Sequence, residues 1–143
     1  MVLKFRAWNG YRKVMADYVS AIQNGDTQGI PSSVNVIVNG KNETWDIKND
    51  HVKLLQFTGL KDVNGNEIYE DDILVTSSKI GGKLITDYLK VDWREDYAGF
   101  FCGEKPLFTC LSEWDNDIKY PQTFPEIVGN VHENLELLEE QHD

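Results

Sequence analysis

Oxygen-bearing side chains at alternate positions are the first feature of this chain that resembles working chemistry. Asp62, Asn64 and Asn66 have the 1-3-5 spacing of a calcium-binding loop. Such a loop also needs a glycine at position six and a bidentate glutamate at position twelve. Those places hold Glu67 and Ile73. An apolar side chain cannot close the coordination shell, so a turn built on Asn64-Gly65 accounts for the spacing and no metal is expected. Just downstream, Glu67, Glu70, Asp71 and Asp72 crowd around Tyr69. Paired carboxylates hold magnesium or exchange protons when they point inward and sit in unlike environments. These flank the apolar run Ile73-Leu74-Val75 and read as turn and edge acids, leaving a small metal-dependent enzyme using Glu67–Asp72 as the third-ranked function.

Other reactive types are scattered. His51 lies in a polar turn, His132 beside a terminal strand and His142 near the chain end. Neither a metal cluster nor a charge relay follows from them. Cys102 and Cys110 match no zinc spacing and have no histidine nearby. They would meet if they lay opposite one another across a hairpin; the role of buried, small apolar residues is the simpler one. Phosphate-cradling glycine loops and nucleophile elbows are missing from the sequence. No cofactor and no catalytic residue is assigned.

Aromatic residues are the better candidates for contact. Trp93, Tyr97, Phe100 and Phe101 gather around one hairpin, and Trp114 stands in an acidic loop. Asp92, Glu95, Asp96 and Glu104 surround them, which disfavours base stacking. Core packing is the default, and a protein interface at Trp93, Tyr97, Phe100 and Trp114 is the sharper reading. A second candidate surface is the basic N-terminal face, Lys4, Arg6, Arg12 and Lys13, which would suit nucleic acid.

Charge separates these two surfaces. The net charge over 143 residues is -10. Residues 1–60 carry seven Lys/Arg against five Asp/Glu, and residues 61–143 carry seven against nineteen. The acidic part repels phosphate backbones, so nucleic acid ranks below protein as a partner. Met1–Arg6 does not read as a signal peptide, and no run approaches the roughly 18 apolar residues of a membrane helix. With two cysteines and no export signal, free thiols and a cytoplasmic setting are expected, without membrane contact.

The elements that must position these residues are short strands. Four Asn-Gly pairs, starting at Asn9, Asn24, Asn39 and Asn64, supply residues that tolerate the positive φ of two-residue hairpin turns. Val2–Trp8 and Tyr11–Val19 form a first hairpin around Asn9-Gly10; Tyr11–Tyr18 could also wind as a short helix, but the strong turn signal favours strand. Val34–Val38 and Glu43–Ile47 form a second around Asn39-Gly40, with Val34, Val36 and Val38 on one face and Trp45 and Ile47 opposite. Residues 23–33 read as a loop and as the place for a lobe boundary within a single domain. Residues 77–82 read as a second flexible connection, and Lys83–Cys102 as a further hairpin with a charged turn at Arg94-Glu95-Asp96. Leu107–Leu111 suits a short strand or a helical turn. Pro121 and Pro125 bracket an extended passage before a strand over Ile127–Val131. Asn134 is placed to cap a short helix from Leu135 to about Glu140.

Three blocks of these residues resemble the YopX-like proteins of tailed phages and prophages. Lys4-Phe5-Arg6-Ala7-Trp8 is similar to that family's KFRAWD opening. Gln56–Ile73 is similar to its QYTGLKDKNGKEIYEGDI core, and Glu126–Asn134 to its EVIGNIYENPELL close. Two departures stand out: the glycine of EGD is Asp71 here, and the proline of ENPELL is Leu135. Asp71 must therefore make a turn that favours glycine. The resemblance carries no catalytic residues with it. It implies a phage or prophage accessory protein that self-associates in the host cell, meeting phage or host proteins.

The fold class expected is α+β, mainly β. Short antiparallel strands would form a small, partly open SH3-like barrel, with an N-terminal hairpin region and a short C-terminal helix. The leading function is a non-enzymatic accessory protein acting through protein–protein contacts, ahead of a nucleic-acid-associated regulator.

Overall fold

Alternating valines show why this chain makes strands. Val34, Val36 and Val38 are buried while their neighbours are not, the period-two pattern of a half-buried ribbon. The computed structural model describes residues 4–25, 30–112 and 125–139. Strands take 61% of it and helices 10%, so the class is mainly β with antiparallel pairing; one sheet curls into a half-barrel. In chain order the strands are β1 (Phe5–Asn9), β2 (Val14–Ala16), β3 (Tyr18–Asn24), β4 (Pro31–Val38), β5 (Lys41–Asp46) and β6 (Val52–Lys61). There follow β7 (Glu67–Tyr69), β8 (Asp72–Ile80), β9 (Lys83–Arg94), β10 (Gly99–Cys102), β11 (Lys105–Pro106), helix α1 (Leu107–Ser112), β12 (Glu126–Asn130) and helix α2 (Glu136–Glu139).

The chain divides into two compact units, Met1–Phe57 and Thr58–Asp143, and the division falls inside β6. The 23–33 stretch instead links β3 to β4, which pair with each other inside the first unit. Its residues 26–29, like Trp114, Pro121, His142 and the acidic loop 113–117, lie outside the described residues.

In the first unit β3, β4 and β5 form one sheet, and β1 pairs with both β2 and β6. Its core joins Ala7, Ala16, Val34, Val36, Val38 and Trp45, with Leu54 and Ile47 packed at the margin. Val34 lies across from Trp45 in the β4–β5 register. Removing each such side chain from water is worth about 1.5–3 kcal/mol. Asn39-Gly40 is the expected two-residue turn, with both φ angles positive at 51° and 79°.

Asn9-Gly10 builds a different connection. Asn9 pairs with Val14, so the loop is four residues long, and its one positive φ is at Lys13. The Asn9 side chain explains this. Its Oδ1 accepts the backbone N–H of Tyr11 (3.1 Å) and Arg12 (2.8 Å), capping a turn that Lys13 N closes onto Asn9 O at 2.8 Å. Gly10 is needed there for space, because a Cβ would stand 2.9 Å from His51 O.

In the second unit the sheet order is β11-β10-β9-β8-β12. Residues 77–82 are not a flexible connection. β8 and β9 pair continuously to Ile80 and Lys83, joined by Gly81-Gly82 with both φ angles positive. A Gly-Gly pair meets the two-residue hairpin requirement as well as Asn-Gly does, which composition alone reads as looseness. The core here joins Ile68, Leu74, Val91, Cys102 and Leu107. Leu107–Ser112 resolves as helix, burying Leu107 and exposing Phe108.

Candidate functional site

The segment between β7 and β8 turns a sharp corner, and Asp71 and Asp72 there are not solvated. Tyr69 N–H donates to Asp72 Oδ2 at 2.7 Å, closing the corner from within. Asp71 occupies the left-handed region at φ 70°, as its place in the pattern demanded. Asp71 and Asp72 are 2% and 1% exposed, so the reading of these residues as edge acids is corrected. A buried carboxylate requires partners. Asp71 has His132 Nε2 at 2.9 Å from Oδ2 and Lys90 Nζ at 3.7 Å from Oδ1. Lys90 also reaches Asp92 at 3.0 Å. Burial pulls the Lys90 pKa down, but Asp92, Asp71 and Glu70 outweigh it and the net shift is upward.

His132 is thus a partner of the buried Asp71 carboxylate that sequence reasoning missed. Where the family pattern has glycine and tyrosine, in EGD and NIYEN, this chain has Asp71 and His132, and the two touch. The paired departure was the available signal. His132 is placed by Asn130, whose Oδ1 accepts the N–H groups of His132 and Glu133, each at 3.0 Å. Val131 N–H then donates to Asp71 O at 2.9 Å. Among the described residues, the Asn134 side chain turns to Asn130 rather than to an N–H of α2. Its Oδ1 accepts Asn130 N–H at 3.2 Å, and it lies so close over Gly129 that a Cβ there would be 2.4 Å away.

Asp62 spends both oxygens on the backbone. Oδ1 accepts Asn64 and Asn66 N–H, each at 2.9 Å, and Oδ2 accepts Ile127 N–H at 2.9 Å. It fastens the Asn64-Gly65 turn to β12. That turn is a three-residue loop, with Gly65 N–H on Asp62 O and Gly65 at φ 83°. Ile73, the failed twelfth position, is fully buried. Asp62, Asp71 and Asp72 therefore work as corner fasteners with different partners rather than as one convergent set of oxygens.

The aromatic hairpin splits into two pairs. Trp93 and Phe100 are directly opposite in the β9–β10 register, their ring centroids 5.0 Å apart, edge to face. Tyr97 packs instead on Phe101, at 5.2 Å, with the Arg94 guanidinium 4.6 Å from the same Phe101 ring. Phe100 and Phe101 are adjacent on a strand, so these pairs occupy opposite faces. Trp93 is 43% exposed and Tyr97 67%.

The basic face is less free than its composition suggests. Lys4 and Arg6 are half-buried, and Lys4 Nζ stands 5.3 Å from the Phe57 ring centroid. Arg12 pairs with Glu43 and lies 6.0 Å from the Trp45 ring centroid. Trp45 Nε1 also donates to Glu43 at 3.1 Å. Lys13 is exposed in the loop after β1.

The family model described as YopX protein matches residues 4–139. Among solved structures, the chain is similar to the crystal structure of protein EF1440 from Enterococcus faecalis. The TM-score is 0.66 at 27% sequence identity, covering 96% of this chain and 99% of that one. No curated protein matches. The corner that supplies the core block, and the turn after β12 that supplies the closing block, both fall within the matched span: this chain belongs to the YopX family.

Proposed function

We propose that this chain is a non-enzymatic phage or prophage accessory protein acting in the host cytoplasm through protein–protein contacts, first of all with copies of itself. One observation carries this: Trp93 and Tyr97 stand exposed on opposite faces of one hairpin, Trp93 braced by Phe100 and Tyr97 by Phe101. Rigid, half-exposed Trp and Tyr are the residues that anchor protein interfaces. Asp92, Glu95, Asp96 and Glu104 neighbour these residues along the chain, which favours a partner bearing cations. A second copy offers them. Residues 1–57 carry seven Lys/Arg against five Asp/Glu, while residues 58–143 carry seven against nineteen. Exposed Arg12 and Lys13 belong to the first set.

The phage setting rests on the family. The non-enzymatic reading rests on the acids of the corner, which already serve His132, Lys90 and backbone N–H groups. Light scattering of the purified chain at micromolar concentration tests the proposal. An oligomer that dissociates with Tyr97→Asp and with added salt supports it. A monomer under all conditions overturns it. A salt-sensitive shift of DNA mobility that disappears in Arg12→Ala/Lys13→Ala would support the nucleic-acid reading instead.

A further inference from the structure

Cys102 and Cys110 come from different elements, β10 and α1, yet they meet. Cys102 is 1% exposed inside the core of the second unit, and Cys110 packs against that same core while remaining half-buried. Both line one cavity of about 230 Å³, together with Thr76, Asp87, Leu89 and Lys105. Both are free thiols. From the sequence they read as separate small apolar residues, and their spacing fits no metal pattern.

We propose that Cys102 and Cys110 form a reversible dithiol–disulfide site, opened to small-molecule disulfides through this cavity, that fastens α1 to β10 when oxidised. The Cys110 thiol beside it, together with burial, pushes the Cys102 pKa up. A thiol held protonated and out of solvent is a poor first nucleophile. Cys110 is the entry point. Its thiolate attacks one sulfur of glutathione disulfide, forming a mixed disulfide and releasing one glutathione thiolate. Cys102 sulfur then attacks the Cys110 sulfur, the mixed bond breaks, and the second glutathione leaves with the Cys102 proton. Two protein thiols are oxidised as one small-molecule disulfide is reduced to two thiols. The closed loop runs from residue 102 to residue 110, through β11 and the first turn of α1.

The test uses the full chain equilibrated in buffers of rising glutathione disulfide to glutathione ratio, quenched with acid and read by intact mass and non-reducing peptide mapping. The expected product is a monomeric chain two hydrogens lighter, with the peptides of Cys102 and Cys110 linked and no glutathione retained. Cys102→Ala should instead stop at a chain one glutathione heavier, modified at Cys110. Cys110→Ala should stay unmodified while folded and become reactive only in denaturant. Wild-type protein that keeps glutathione on Cys110, links two chains, or leaves both thiols free at the most oxidising ratio would overturn the proposal. Because these readings are made on wild-type protein, they stand even where a variant fails to fold.

Discussion

His132 Nε2 lies 2.9 Å from Asp71 Oδ2, tying the turn after β12 to the corner between β7 and β8. The bond joins residues 61 positions apart at a carboxylate that is 2% exposed and carried on a left-handed backbone. The corner thus combines a conformational cost with an electrostatic compensation.

That combination predicts an unusual mutant order. His132→Ala leaves the buried carboxylate with Lys90 at 3.7 Å and should destabilise by about 2 kcal/mol. Asp71→Gly removes the need for the partner and relieves the positive-φ penalty, worth about 1 kcal/mol. It should therefore cost less than His132→Ala. In the Asp71→Gly background, His132→Ala should cost little more. Urea unfolding of the four proteins, analysed as a double-mutant cycle, checks this; equal His132→Ala penalties in both backgrounds would show that the two residues act independently.

Two glycines should respond for different reasons. Gly40 has φ 79° and nothing within 4 Å of the place a Cβ would take, so Gly40→Ala should cost about 1 kcal/mol through backbone strain alone. At Gly129 the same place has Asn134 Oδ1 at 2.4 Å and Asn134 Cβ at 2.9 Å. Gly129→Ala must push aside a side chain that also accepts Asn130 N–H, and should cost at least about 2 kcal/mol. Thermal unfolding should show Asn134→Ala recovering part of the Gly129→Ala loss and none of the Gly40→Ala loss.

Stability should also fall at both pH extremes, through different pairs. Lys90 titrates above its ordinary value of 10.5, so the folded state holds that proton more tightly than the unfolded chain. The gain is complete below that value and disappears as pH rises through the folded one. Glu43 titrates below its ordinary 4.5, first because Arg12 and then because Trp45 hydrogen-bonds its carboxylate. Its gain is present above 4.5 and is lost as pH falls through the lower folded value. Lys90 and Glu43 themselves face solvent, so each limb should be shallow. Lys90→Met should flatten the alkaline limb alone and Glu43→Gln the acid limb alone, read from unfolding midpoints across pH.

What the sequence made legible follows from how local each signal is. The β4–β5 hairpin could be read because valine alternation and Asn39-Gly40 lie within a dozen residues. The corner at Asp71 could be read because glycine's place in a motif predicts positive φ for whatever replaces it. The buried state of Asp71 and Asp72 could not, because their compensation arrives from β9 and from the turn after β12. Asn9-Gly10 misled for a related reason: the Asn9 side chain captured the next two N–H groups and lengthened the loop. The meeting of Cys102 with Cys110 depended on Leu107–Ser112 being helix, and a five-residue apolar run does not decide helix against strand.

The aromatic hairpin supplies a prediction that separates packing from association. Trp93 stacks edge to face on Phe100, and Phe100 packs against the core of Ile68, Leu74 and Val91. Trp93→Ala should therefore weaken both folding, by about 1 kcal/mol through the lost aromatic pair, and self-association. Tyr97 is 67% exposed and touches Phe101 on the other face, where Arg94 already covers that ring. Tyr97→Ala should leave the unfolding midpoint nearly unchanged while lowering the association constant at least about tenfold, as loss of an interface anchor does. Sedimentation equilibrium beside urea unfolding on the same preparations resolves the two effects. If Tyr97→Ala lost stability and kept its assembly, Tyr97 would be a packing residue and the interface would lie elsewhere.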